Sequence, residues 1–276
     1  MSKILKIPSD KKYLKINFSL SKTAGRRSYY GPGLSDQLDT LLTYIAFANH
    51  CDMILILPIR ELTGIHNEGR SITTNLTNYF DFSKLKINNK KVSVIENENE
   101  VDADSIHQIQ AQHPKIVAKL RIEIDFQNLN IVLPRCSYHI QIANEIITNF
   151  NLSASIHIRR TDKLNPELRD RERWGVSAKT WDEATSESNV IELSKHLNIN
   201  NDCIYIMTDM LEDDKVVKRL KESNINYIFY FDIPKLVELK NKNNYDLYNI
   251  ECEILSQLKV SVSRTQLLTF YTQSKI

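Results

Sequence analysis

Two adjacent arginines, Arg159 and Arg160, are well suited to hold an anion. They fall at the end of a predicted strand, Ala154 to Arg159. In an open parallel sheet, ligands bind beyond the carboxyl ends of the strands. Planar guanidinium groups match the oxygens of a diphosphate bidentately. The pair therefore predicts a diphosphate site at the end of this strand.

The same arginines could instead belong to a structural ion-pair network. Asp162, Glu167 and Asp170 lie close by in the sequence and could neutralise both charges. Charged clusters of this kind occur at structural positions as well as at functional sites. Spacing by itself leaves both interpretations open.

The arginine pair belongs to a longer segment that resembles a known motif. His157-Ile158-Arg159-Arg160-Thr161-Asp162-Lys163, followed by Glu167, is similar to the donor-binding motif of the metal-independent fucosyltransferases. The similarity is greatest to the α-1,6-fucosyltransferases of N-glycan cores and to the nodulation-type chitooligosaccharide fucosyltransferases. Three further blocks follow the order of that family: Gly31 to Leu38, Ile204 to Asp209 and, more weakly, Glu251 to Gln266.

The resemblance implies an enzyme that moves fucose from GDP-fucose to a glycan hydroxyl with inversion and without a metal. It implies that Arg159 grips the β-phosphate and that Arg160 supports it. It also implies that His157, together with an acidic residue near Glu251, contacts the guanine.

Further roles follow from the same resemblance. Glu167 is the implied general base, and Lys163 is the implied partner near the acceptor hydroxyl. Asp162 and Asp209 would orient the arginines and the donor. The remaining candidate donor contacts are Gly31, Gly33, Ser263 and Thr265.

The sequence departs from the family pattern at two of these blocks. Met210 follows Asp209 where the family usually has a second acid, and Ser263-Arg264-Thr265-Gln266 stands where it has a pair of serines. Gly31-Pro32-Gly33 is also compatible with a simple tight turn, since Pro32 lacks a backbone donor.

Elementary chemistry agrees with the implied roles. Glycosyl transfer passes through an oxocarbenium-like state, so a carboxylate must take the acceptor proton and cations must stabilise the departing diphosphate. Two arginines can supply the charge that a metal ion supplies in other enzymes. The one Asp-x-Asp sequence, Asp102-Ala103-Asp104, fits a solvated loop. We therefore expect no metal site and no cofactor apart from the donor substrate.

The overall charge makes nucleic acid an unsuitable partner. Thirty-six Lys and Arg against 34 Asp and Glu leave a formal charge of +2. Such a balance gives no general basic field for counterion release. The expected partners are a nucleotide sugar and a glycan acceptor.

The cysteines and the hydropathy pattern predict a cytoplasmic protein. Cys51, Cys136, Cys203 and Cys252 form no closely spaced pair and read as free thiols, as is usual in a reducing compartment. No apolar stretch reaches the length of a membrane span.

The elements that must position these residues alternate between strand and helix. A helix is predicted from Ser35 and a buried strand over Met53 to Leu57. In the second half, strands at Ala154 to Arg159, Cys203 to Met207 and Ile225 to Phe231 alternate with helical segments. This alternation is typical of a doubly wound parallel sheet.

The length of 276 residues favours two domains. We place the boundary in the polar segment near Phe150, which gives residues 1–150 as an α/β domain on the acceptor side and residues 151–276 as a Rossmann-like nucleotide-sugar domain. Two such domains facing a cleft form the arrangement called GT-B among glycosyltransferases.

Both tryptophans, Trp174 and Trp181, lie in the polar segment after the arginine motif. They could stack on an acceptor sugar, or they could anchor the segment in the core, as large aromatics usually do.

Two alternatives to fucosyl transfer stay open. The chain could keep the fold and use another nucleotide sugar, or have no activity. It could also be an interaction protein whose arginines recognise an acidic partner, which predicts binding with a steep dependence on salt.

Overall fold

The computed structural model describes residues 5, 8, 10–17, 34–62, 72–110, 114–160, 164, 176–197 and 203–273. The chain divides into two compact units, Met1–Ser137 and Tyr138–Ile276. None of the helices in the described part of the chain has the length and apolar character needed to cross a membrane.

The first unit is built around a parallel sheet. Its described elements are β1 (Tyr13–Asn17), α1 (Leu34–His50), β2 (Ile54–Ile56), β3 (Ile59–Leu62), β4 (Ile72–Asn75), β5 (Lys86–Ile87), β6 (Lys90–Lys91), β7 (Val94–Ile95), β8 (Ile106–Gln110), α2 (Pro114–Glu123) and β9 (Ile131–Val132). The parallel strands have the order β7-β2-β1-β8, while β3-β4 and β6-β5-β9 form small antiparallel sheets.

The helix and strand predicted at the start of this unit are both present. Helix α1 buries the predicted apolar face, including Leu41 and Ile45, because these residues recur at helical spacing. Strand β2 pairs in parallel with β1, and Leu55 and Ile56 are buried. The polar region that follows forms short strands and 3-10 turns.

The second unit is a doubly wound parallel sheet. Its described elements are α3 (Ser137–Asn149), β10 (Leu152–Ile158), α4 (Ala178–Ala184), α5 (Glu187–His196), β11 (Cys203–Thr208), α6 (Lys215–Lys221), β12 (Asn226–Phe229), α7 (Pro234–Lys242), α8 (Asn244–Gln257), β13 (Val260–Val262) and α9 (Arg264–Gln273). The strand order is β12-β11-β10-β13, and every pairing is parallel.

Helices cover both faces of this sheet. On one face, Ile156 and Ile206 pack with residues of α5, α6 and α9. On the other face, Tyr205 and Met207 pack with residues of α3, α7 and α8. Every residue of β11 is buried, as expected of a central parallel strand with an apolar sequence. The α/β class with parallel sheets is therefore confirmed.

The division between the units lies after Ser137, the first residue of α3, whereas the sequence places a domain boundary near Phe150. Ile142, Ala143 and Ile146 of α3 pack in the core of the second unit. Helix α3 therefore belongs to the second unit, because its apolar face covers that unit's sheet.

Candidate functional site

Three of the sequence blocks described above reach the same edge of the parallel sheet in the second unit. Arg159 follows the end of β10, Asp209 follows the end of β11, and Ser263 follows the end of β13. These three strands are neighbours and run in the same direction. Their carboxyl ends therefore lie side by side, at the edge where parallel sheets bind ligands.

The arginine segment is fastened to the neighbouring strand through its backbone. The backbone N–H of Arg160 donates to Oδ1 of Asp209 at 2.8 Å. The next turn is closed by a bond from the N–H of Met210 to Oγ1 of Thr208, at 3.1 Å. Asp209 thus fixes the path of the chain as it leaves β10.

The two arginines differ in their surroundings, because Arg160 turns its guanidinium toward α4. It forms an ion pair with Asp182 and donates to the Asp182 carbonyl oxygen at 3.1 Å and to Thr185 Oγ1 at 2.8 Å. Its side chain is 12% exposed. The structural ion-pair interpretation therefore holds for Arg160, with Asp182 as the partner.

Helix α4 also holds the backbone of Arg159. The indole Nε1 of Trp181 donates to the Arg159 carbonyl oxygen at 2.7 Å, and Trp181 is buried. The core-anchor interpretation of this tryptophan is therefore confirmed. Trp174 lies outside the described residues.

His157 lies on β10 opposite Met207 of β11, one residue before the strand ends. Burial, together with the positive charges of Arg264 and Arg159, lowers the pKa of His157 from 6.5 to about 4. The imidazole is therefore neutral at physiological pH, and two guanidinium groups lie near it.

Glu251 is a buried acid on α8. Its Oε1 accepts a hydrogen bond of 2.8 Å from the hydroxyl of Tyr205 in the middle of β11. Burial raises the pKa of Glu251 to about 8, and it raises the pKa of Tyr205 well above its ordinary value. Both groups are therefore held neutral near pH 7.

The turn after β13 leads directly into α9. Ser263 Oγ accepts from the backbone N–H of Gln266 at 3.3 Å, and Gln266 Oε1 accepts from the backbone N–H of Ser263 at 2.8 Å. This reciprocal pair is the pattern of a capping box. Thr265 lies in the first turn of α9, where its carbonyl oxygen accepts from the hydroxyl of Thr269.

Five candidate residues lie outside the described part of the chain. They are Gly31, Gly33, Asp162, Lys163 and Glu167. Their implied roles stay predictions.

Neither the acidic surface pocket nor the Asp102-Ala103-Asp104 sequence is a suitable site for the donor. A surface pocket of about 450 Å³ beside α4, α5 and α9 is lined by Asp182, Glu183, Ser186, Ser188, Asn189, Glu192 and Tyr271. Its carboxylates would repel a diphosphate. Asp102 caps a 3-10 turn by accepting from the N–H of Asp104. Within the described ranges, no group of three His, Cys, Asp or Glu side chains is placed to hold a metal ion.

Sequence reasoning did not predict helix α4, and it assigned no role to Arg264 or Tyr205, although both lie in blocks that it selected. A tyrosine within an apolar central strand is a usable signal, because its buried hydroxyl requires a partner. Ser177, whose Oγ accepts from the N–H of Thr180 at 3.0 Å, is a helix-start signal for α4.

The chain, over both of its units, is similar in fold to solved structures of one enzyme. POFUT1 with GDP-fucose superposes with a TM-score of 0.51 and 10% identity, over 96% of this chain and 93% of that one. The apo form of POFUT1 superposes with a TM-score of 0.51 and 10% identity, over 98% of this chain and 96% of that one. The complex of POFUT1 with GDP superposes with a TM-score of 0.50 and 10% identity, over 97% of this chain and 96% of that one. No protein-family model matches the sequence, and no curated protein does.

These likenesses concern the fold. POFUT1 is a GDP-fucose protein O-fucosyltransferase with a GT-B fold. The predicted GT-B-like α/β class is therefore confirmed, while the specific likeness to α-1,6 and nodulation-type enzymes stays a prediction.

Proposed function

We propose that this chain is an inverting fucosyltransferase that uses GDP-fucose as donor and a glycan hydroxyl as acceptor. One observation carries the proposal: Arg159, Asp209 and Ser263, which come from three separate sequence blocks, leave three neighbouring strands at one sheet edge. The shared fold with POFUT1, solved with GDP-fucose, supports the same donor.

In this proposal the second unit binds the donor. Arg159 contacts the β-phosphate, and Asp209 keeps the arginine segment at the strand end through the backbone of Arg160. Arg160 supports the site by joining that segment to α4. His157 is uncharged at neutral pH, and the resemblance assigns it to the guanine of the donor.

Glu251 is assigned to the guanine as well, by the resemblance of its sequence block. The Tyr205 hydroxyl donates to one of its oxygens, which fixes the orientation of the carboxyl group. An ionised carboxylate would accept from two N–H groups of guanine. Ligand binding would therefore have to favour loss of the Glu251 proton.

The chemical step exchanges one glycosidic bond for another. The acceptor oxygen attacks the anomeric carbon of fucose while the bond from that carbon to the β-phosphate oxygen breaks. Glu167 takes the proton of the acceptor hydroxyl, with Lys163 beside it and Asp162 orienting the segment. Arg159 stabilises the charge that develops on the departing GDP. We propose that no metal ion takes part.

Calorimetric titration of the full chain with GDP and UDP tests the donor class. We expect GDP to bind and UDP to bind at least about tenfold more weakly, a difference of about 1.4 kcal/mol. Preference for UDP would indicate another nucleotide sugar. Binding of neither nucleotide would remove the proposal and favour an interaction protein.

Transfer of radiolabelled fucose from GDP-fucose to a panel of glycans tests the activity, with EDTA present to test independence from metals. Arg159→Gln should lower kcat/KM by about 100-fold or more, since a leaving-group contact is lost. Arg219→Gln is a matched control, because Arg219 pairs with Glu187 between α6 and α5. Equal activity of the Arg159 variant and the control would remove the assigned role.

A further inference from the structure

Arg264 is a second cation at the edge where β10 ends. Ile156 of β10 pairs with Val262 of β13. Arg264 is the second residue after Val262, and Arg159 is the third after Ile156. Neighbouring strands lie about 4.8 Å apart. The two arginines therefore leave adjacent strands at nearly the same level.

The pKa of His157 is consistent with this proximity. The positive charges of both Arg264 and Arg159 lower the pKa of this imidazole, and Arg264 has the larger effect of the two. Coulombic effects of this kind fall off with distance and are screened by solvent. Both guanidinium groups therefore act on the same part of the sheet edge.

The position of Arg264 in its helix is also informative. It is the first residue of α9, and the first turn of that helix contains no Asp or Glu. Helix N-termini carry partial positive charge, which favours an anion at this position. Three positive groups, namely the helix terminus, Arg264 and Arg159, concentrate at one edge.

Arg160, the neighbour of Arg159 in the sequence, is bonded to other groups of the protein. The guanidinium of Arg160 makes an ion pair and two hydrogen bonds to α4. Releasing it toward a ligand would break all of these bonds.

We propose that Arg264 and Arg159, rather than Arg160 and Arg159, form the two-guanidinium clamp for the diphosphate of the donor. This inference rests on the proposed function for the identity of the donor. Arg264 stands where the resembling family has a serine pair, so the clamp is a feature of this sequence. Each fork-shaped guanidinium can bind phosphate oxygens bidentately.

The test uses inorganic pyrophosphate, GDP and guanosine as separate probes in calorimetric titrations of the full chain. Arg264→Gln should weaken pyrophosphate and GDP binding at least about tenfold, because one charge-assisted contact is lost. Guanosine binding should stay unchanged. Arg264→Lys should restore part of the affinity, since it returns the charge without the fork. Arg219→Gln, which removes an equal charge from α6, should match the wild-type protein.

The outcomes separate the clamp from the proposed function. An Arg264→Gln variant that binds pyrophosphate and GDP like the wild-type protein overturns the clamp. So does an equal loss of guanosine binding, which would indicate a structural role. A wild-type protein that binds pyrophosphate through Arg264 but does not bind GDP keeps the clamp and overturns GDP-fucose as donor. A wild-type protein that binds neither overturns both.

Discussion

The indole Nε1 of Trp181 donates a hydrogen bond of 2.7 Å to the carbonyl oxygen of Arg159. This bond connects a buried side chain of α4 to the residue that leaves the central strand β10. The backbone of a proposed phosphate-binding residue is thus fixed from outside its own segment. Positioning of this kind matters because small displacements of a binding group cost catalytic rate.

Trp181→Phe tests this positioning. The phenyl ring keeps most of the packing but removes the N–H donor and leaves a backbone carbonyl without that partner. We expect the free energy of unfolding to fall by about 1 kcal/mol and GDP affinity to fall as well. Urea denaturation and calorimetric titration measure the two effects. Loss of stability with unchanged GDP affinity would show that the bond supports the fold without positioning Arg159.

The ion pair between Arg160 and Asp182 predicts a measurable coupling. A double-mutant cycle with Arg160→Ala and Asp182→Ala should give a coupling energy of about 0.5–1.5 kcal/mol, because the arginine side chain is largely buried. The pair Lys242 and Glu238 is a suitable comparison, since both side chains are mostly exposed, at 69% and 65%. It should give a smaller coupling energy, because solvent screens an exposed pair. Equal values for the two cycles would argue against a structural role for Arg160.

Much of the second unit could be predicted because its strands are buried on both faces. Continuous apolar runs such as Cys203 to Met207 have few alternatives to a central parallel strand. The strand order then brings Arg159, Asp209 and Ser263 to one edge. The shared position of these three candidate residues therefore followed from local sequence and the rules of parallel sheets.

The partners within that site could not be predicted, because they depend on tertiary contacts. Arg160 pairs with Asp182, which lies on a seven-residue helix that has too few turns to show a clear apolar periodicity. Arg264 reaches the neighbourhood of His157 only because β13 pairs with β10. Distances along the chain carry no information on either relationship.

Glu251 makes stability depend on pH. Its pKa rises from an ordinary value of 4.5 to about 8 in the folded chain because the carboxyl group is buried. Between these values the unfolded chain loses the proton while the folded chain keeps it, so folding stability falls as pH rises through this window. The contribution is fully present below pH 4.5 and is lost as the pH passes 8.

Glu251→Gln removes this titration and keeps an acceptor for the Tyr205 hydroxyl. We expect the variant to match the wild-type protein near pH 5 and to be more stable near pH 8.5. Urea denaturation at the two pH values measures the difference. Glu253→Gln is a suitable control, since Glu253 lies on the same helix and is less buried. A pH dependence that the Glu251 substitution leaves unchanged would contradict the buried neutral acid.

His157 provides a local measure of the charge at the sheet edge. Its pKa of about 4 results first from burial and then from the positive charges of Arg264 and Arg159. Arg264→Gln removes one of those charges and should raise the pKa. Bound GDP should also raise the pKa of His157, because the diphosphate offsets both guanidinium groups.

Histidine ring signals in NMR spectra, followed from pH 3.5 to 8 and assigned with His157→Asn, give these pKa values directly. Because burial remains after either change, the pKa should stay below 6.5 in the arginine variant. A His157 that titrates near 6.5 in the wild-type protein would contradict both its burial and the effect of the two guanidinium groups. A pKa that GDP leaves unchanged would place the diphosphate elsewhere.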